Sequence, residues 1–153
     1  MEQIRNSAKA IIIAADKLLV IGMRDDDGPW YLLPGGGQKR GESLVDALRR
    51  ECAEEIAIVP TVGRLRFVRD YIGRNHEFAA TDSETHQVEF MFTCQVPSDY
   101  VPTAGHEPDS KQVEVRWIPL ANLMSYRLYP LSLRPLLMQG DTSRQPIYLG
   151  DVN

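Results

Sequence analysis

The chain has 153 residues, 43% of them hydrophobic, a net charge of −4 and a pI near 5.4. That size suits one domain, residues 1–153, with a core of its own, and the acidic balance argues against a general nucleic-acid grip, which wants a basic face. Two cysteines, Cys52 and Cys94, read as buried free thiols of a reducing, cytoplasmic compartment rather than as a disulfide framework. The apolar run Ala10–Ala15 is too short for a membrane span and meets Asp16 and Lys17 at once, so neither a membrane nor a signal-peptide reading holds.

Taken in chain order, Lys9–Ala14 and Leu18–Met23 are expected as strands around an Asp16-Lys17 turn. Asp25–Pro29 reads as a loop leading to a short strand at Trp30–Leu33. Pro34–Glu42 is a glycine-rich loop. Ser43 followed by Asp46 resembles a capping box, and the Leu-, Ala-, Arg- and Glu-rich run behind it predicts a helix from about Leu44 to Ala57. At about 100° per residue, Glu51, Glu54 and Glu55 fall to one side of that helix, beside an apolar stripe of Val45, Leu48, Cys52 and Ile56. Val62–Ile72 is extended, Gly73–Thr85 a mostly polar loop, and Gln87–Val96 a strand whose apolar residues alternate, so that Glu89 faces away from Phe90 together with Gln87. Pro97–Ser110 carries three prolines and is left irregular. Glu114–Ile118 is a last core strand, and Leu131–Gln139 a helix in which Pro135 implies a late start or a kink. The tail Pro146–Asp151 is apolar enough to dock, on this domain or on a second subunit of a homodimer.

Three acids on one helix face admit two readings. The plain one is a solvated face, but such faces alternate acids with Lys or Arg, and here Arg50, four residues before Glu54, is the one partner within the helix. The other is a divalent-cation site, where hard carboxylate oxygens suit Mg²⁺, with Mn²⁺ as a substitute, and where the preceding glycines let backbone approach a phosphate or metal closely.

The segment Gly36–Ile58 resembles the Nudix box, G-x5-E-x7-R-E-U-x-E-E-x-G-U with U aliphatic, through Gly36, Glu42, Arg50, Glu51, Glu54, Glu55 and Ile58. Cys52 stands at the first aliphatic position. Ala57 stands where the family has its last glycine, which closes the helix in a left-handed conformation that costs alanine about 1 kcal/mol. Trp30–Pro34 and Val113–Leu120 also look Nudix-like, and the likeness spans about residues 8 to 140.

The resemblance implies an α/β/α sandwich with a mixed sheet between helices. It implies that Glu51, Glu54 and Glu55 hold catalytic Mg²⁺, with the Gly35 carbonyl as a further ligand, and that Arg50 braces the box by bonding to its acids, Glu42 included. It implies hydrolysis of a phosphoanhydride in a nucleoside diphosphate linked to another group: a nucleoside triphosphate, a nucleotide sugar or ADP-ribose. The proton from water goes first to Glu55, or else to an acid outside the box, for which Glu89 is the candidate, against a plainer reading of Glu89 as a surface glutamate. Arg69, His76 and Arg24 are candidate substrate contacts, against a plainer reading in which Arg69 and His76 solvate or cap their loop. Trp30 and Trp117 read as core anchors. A nucleotide-binding or sensing module of the same fold with little turnover is the second functional class, and the Ala57 departure is its one hint.

Overall fold

The computed structural model describes residues 3–153. Thirteen short elements build one mixed sheet with helices on both faces, the α/β/α sandwich expected. Strands β1 (Arg5–Ala14) and β2 (Lys17–Asp25) form a hairpin, closed by Ala15 and Asp16, both at positive φ (50° and 58°), one residue earlier than the sequence suggests. Two positive-φ central residues match the right-handed twist of the flanking strands.

The hairpin then opens. Only Ile13 and Ala14 of β1 face β2, opposite Leu18 and Lys17. Nearer its start, β1 takes a different antiparallel partner on that edge, β4 (Gly35–Gly37), with Ser7, Ala8 and Lys9 opposite Gly37, Gly36 and Gly35. β2 meanwhile continues between β3 (Gly28–Leu32) and β7 (Gln112–Pro119). This change of partner splits the sheet and leaves a cleft where β1 and β2 diverge. On its other edge β1 runs parallel to β6 (His86–Gln95) from Arg5 to Ile12, and β5 (Thr61–Ile72) pairs antiparallel with β6. β1 therefore starts earlier than expected: its polar first turns gain ladder partners on both edges, which hydropathy alone does not reveal.

Alternation along the strands sends side chains to two cores. Ile11, Leu18, Val20, Phe67 and Met91 pack with Leu133 and Leu137 of α3 (Leu133–Met138). Ala8, Ala10, Ile12, Leu19, Ile21 and Phe92 pack with Leu48, Cys52 and Ile56 of α1 (Leu44–Ile56). Both cysteines are buried and unpaired. α3 begins late, as Pro135 demands, since its missing N–H then falls in the first turn, where helical amides have no partner. Trp30 and Trp117 are partly buried against the α1-side core. Trp30 also packs near Tyr129 and Phe78, at 5.9 and 6.3 Å between ring centroids.

Several elements are not anticipated by the sequence: β4 lies within the glycine-rich loop, and 3-10 turns form at Gly73–Asn75 and Leu120–Ser125. A single turn, α2 (Ala79–Asp82), interrupts the polar loop, and the tail forms β8 (Tyr148–Asp151), laid parallel on the edge of β5 in the chain's own sheet. Asp151 holds it there, accepting from the Ile72 amide (3.0 Å) and Asn75 Nδ2 (2.8 Å) and pairing with His76 Nε2 (2.6 Å). Among the described residues no helix is long and apolar enough to cross a membrane.

Helix α1 is closed at both ends. The Ser43 hydroxyl accepts from the Asp46 amide at 3.1 Å, and Ala57 takes φ 60°, ψ 23°, the left-handed conformation reserved for glycine in the box. The substitution leaves strain at the helix end without moving the end. Ala57→Gly is expected to stabilise the protein by up to about 1 kcal/mol in urea unfolding, with relief of the left-handed Cβ outweighing the looser unfolded chain. A lower midpoint for the glycine variant would show that Ala57 is unstrained.

Candidate active site

The glycine loop and α1 meet through Arg50. Its guanidinium forks onto Glu42, Nε to Oε1 at 2.6 Å and Nη2 to Oε2 at 3.1 Å. It also donates to the Gly37 carbonyl at 2.9 Å and, through Nη1, to Glu51 at 2.9 Å and Glu54 at 3.5 Å. Glu42 accepts the Lys39 amide as well (2.8 Å), and these donors, Arg50 foremost, draw its pKa down to about 2. The planar fork of arginine makes this five-contact node possible; an ammonium could not span it.

Gly35 and Gly36 bring backbone against the acids. Gly35 sits at φ 132°, and a Cβ there would run into the Ala8 carbonyl; one on Gly36 would collide with the Glu51 carboxylate. The Gly35 amide donates to Glu55 Oε1 at 2.9 Å, while the Gly35 carbonyl accepts from Lys9 Nζ at 3.2 Å. Glu55 itself lies on the packed face of α1 at 8% exposure. Burial lifts its pKa to about 7, against the opposing pull of Lys9 and the Gly35 amide.

The three box acids are thus less alike than their spacing suggests. Glu51 and Glu55 line the cleft, of about 280 Å³, together with Gly35, Gly36, Arg5, Ser7, Lys9 and Gln87. Glu54 turns to Arg50. Among the described residues no three His, Cys, Asp or Glu side chains already converge at metal-ligand spacing.

The opposite wall comes from a segment the sequence left irregular. The Gly105 and Glu107 amides donate to the carbonyls of Glu55 (3.1 Å) and Glu54 (3.0 Å), Gln112 Nε2 donates to Glu55 O (3.0 Å), and the Tyr100 hydroxyl to Ile56 O (2.8 Å). These bonds satisfy the last carbonyls of α1, which have no partner within the helix. They also deliver Glu107 and Asp109 into the cleft facing Glu55. Nothing in their spacing from the box announces these acids; the one signal is two acids in a proline-bound loop without helical or strand periodicity.

Glu89 lies 4% exposed on β6, turned away from Phe90 as expected, and Arg69 pairs with it, Nε donating to Oε1 at 2.6 Å. Arg69 also donates to Val152 O at 2.5 Å and Asn153 Oδ1 at 3.1 Å. His76 stacks on Tyr71 with ring centroids 5.6 Å apart and holds Asp151. Arg69 and His76 therefore fasten the tail strand, and Arg24 lies exposed at the far end of β2; none of the three lines the cleft.

The NUDIX domain family matches residues 4–138. The chain belongs to that family. No curated protein matches it. Among solved structures, a NUDIX hydrolase from Nitrosomonas europaea superposes with a TM-score of 0.69 at 20% identity, over 91% of each chain. The ORF135 protein of E. coli gives 0.63 at 22% identity, over 93% of this chain and 94% of its own. An ADP-ribose pyrophosphatase from Streptococcus suis gives 0.62 at 18%, over 97% and 100%. These likenesses establish the shared Nudix fold.

Two consequences follow for Arg50 and Glu55. Arg50→Lys keeps the charge but loses the fork, so turnover is expected to fall at least about tenfold, the worth of one or two charge-assisted hydrogen bonds; equal kcat in the two proteins would contradict the bracing role. A carboxyl whose folded pKa, about 7, exceeds its unfolded value binds protons more tightly when folded. Its contribution is full below about pH 4.5 and fades as pH rises through 7, by roughly 3 kcal/mol in all. In EDTA, Glu55→Gln should therefore raise Tm at pH 8 and change it little at pH 4.5, which thermal melts at the two values check.

Proposed function

We propose that this Nudix enzyme is a Mg²⁺-dependent pyrophosphohydrolase, cleaving a phosphoanhydride bond in a small nucleoside diphosphate derivative. The observation that carries the reading is the pair of Glu51 and Glu55 opening with the Gly35 carbonyl onto one cleft. The donor set fits a hard divalent cation: it is all oxygen, and the Gly35 carbonyl is already turned to a positive group, Lys9. Glu51, Glu55 and Gly35 would hold the ion, Glu54 joining from beside Arg50, and Glu107 and Asp109 supplying carboxylates from across the cleft. When bound, such an ion neutralises phosphate oxygens and makes water a better nucleophile.

The chain's own residues do the rest. Arg50 and Glu42 keep the glycine loop pressed on α1, so the acids keep their spacing. Arg5, exposed at the cleft edge and without an ion-pair partner among the described residues, supplies a guanidinium for a phosphate, and Gln87 an amide. For the proton, Glu55 is favoured over Glu89: it lines the cleft, whereas Glu89 is held by Arg69. Arg69, His76 and Arg24 keep a substrate role only for a group that reaches beyond the cleft.

Substrate choice falls among nucleoside triphosphates, nucleotide sugars and ADP-ribose. Neighbours of this fold include proteins described as an ADP-ribose pyrophosphatase and a UDP-X diphosphatase. The alternative of a sensing module rested on Ala57, and that residue closes α1 in the left-handed form that the box requires.

Incubation with each substrate class and Mg²⁺, products resolved by chromatography, tests the reading. Turnover of one class is expected, abolished by EDTA and lowered at least about a hundredfold in Glu55→Gln, the scale of a lost general base. Nucleotide binding without any product would favour the sensing module.

A further inference from the structure

Strand alternation aims Arg5, Ser7 and Lys9 of β1 at the cleft, while Ala8 and Ala10 face α1. Of the three, Lys9 bonds to the glycine loop's Gly35 carbonyl, at 3.2 Å. Half-buried, it lies opposite Gly35 in the β1–β4 ladder and is the main positive influence on the buried Glu55 carboxyl. An ammonium on a flexible stem is a compact point charge that can leave and return, unlike the fixed fork of Arg50. Lys9, with Leu32, also borders a second space. That space is only about 10 Å³ and is closed by Leu33, Met91, Tyr129 and Pro130, with Glu89 at its far wall already paired to Arg69. In front of Lys9 lies the main cleft, of about 280 Å³.

We propose that Lys9 is a substrate-binding residue: its ammonium holds the place of a divalent cation at the Gly35 carbonyl and, once displaced, turns into the cleft to bind a phosphate oxygen of the substrate. The proposal rests on the reading of Glu51, Glu55 and Gly35 as the residues that hold the cation. An ammonium and a divalent cation on one carbonyl oxygen would lie only about 4 Å apart and repel strongly, so ion entry drives Lys9 to move. The second space is nearly filled, so it moves into the main cleft. Before the ion arrives, Lys9 partly neutralises the acids; afterwards it adds a cation on the phosphate side, where the acids alone would repel substrate.

The test uses the wild-type protein and limited acetylation by acetic anhydride, read by mass spectrometry at each lysine, with the exposed Lys17 and Lys111 as references. The conditions are EDTA, Mn²⁺, and Mn²⁺ with methylenediphosphonate, a non-hydrolysable diphosphate. Lys9 labelling should rise several-fold with Mn²⁺ and fall again with the diphosphonate, the references staying level. If electron paramagnetic resonance shows Mn²⁺ bound while Lys9 labelling does not rise, or if the diphosphonate fails to protect it, the role of Lys9 is overturned and the cation-site reading survives. If no Mn²⁺ binds, both fall. As a second measurement, Lys9→Met should tighten Mn²⁺ about tenfold, the scale expected on removing a nearby positive charge, whereas Arg5→Met, which removes equal charge from the same cleft, should change it less than about twofold. Equal shifts in the two variants would reduce Lys9 to general cleft charge and overturn the proposal.

Discussion

The site depends on one guanidinium. Arg50 is anchored in α1, yet its contacts reach the glycine loop at Gly37 and Glu42 as well as the acids Glu51 and Glu54. Without it, a loop rich in glycine would have little reason to lie in one conformation, since glycine surrenders the most backbone freedom on ordering. With it, the loop is held against the helix closely enough that Gly36 cannot carry a side chain beside Glu51, while Gly35 is pressed equally closely on the Ala8 carbonyl of β1. Like-charged carboxylates one turn apart are tolerated because a single cation lies between Glu51 and Glu54.

The second constraint is the change of partner along β1. A strand that stayed with β2 throughout would close the sheet and leave no cleft. Pairing with β4 instead places Gly35 opposite Lys9 and opens the wedge into which Glu55 projects. Glu55 is therefore at once a core residue of α1 and a wall of the cleft, which is why burial rather than its acidic neighbours dominates its proton affinity. The loop that caps α1 works in the same way. By satisfying the carbonyls of Glu54, Glu55 and Ile56, it both completes the helix and sets two further acids across the gap.

The far side of the sheet carries polar chemistry turned to structural use. The Arg69–Glu89 pair is almost wholly enclosed, and the tail carbonyl of Val152 accepts from the same guanidinium. Asp70 with Tyr148, and Asp151 with Asn75 and His76, hold β8 on β5, while His86 ties Asp70 to β6. A tail strand so fastened covers what would otherwise be an open sheet edge, a surface prone to unwanted pairing.

What the sequence determined by itself is local. The box spacing, the Ser43 cap, the apolar stripe of α1 and the alternation in β6 all report on neighbours within a few residues, where helix and strand periods translate directly into position. From them the family, the sandwich and the acids of α1 are legible, and so is the departure at Ala57. Tertiary structure alone decided which acids open onto the cleft. Glu55 is buried because α1 packs that face onto the sheet, where the Gly35 amide meets its carboxylate; Glu107 and Asp109 arrive because a loop caps a helix some fifty residues earlier; Lys9 becomes part of the site because β1 exchanges one partner for another. Arg69 and His76 carry the residue types of a phosphate clamp, but the tail reaches them first, through pairings whose sequence separations run from 75 to 84 residues. Such contacts depend on strand order and register, and no periodicity within a segment encodes them.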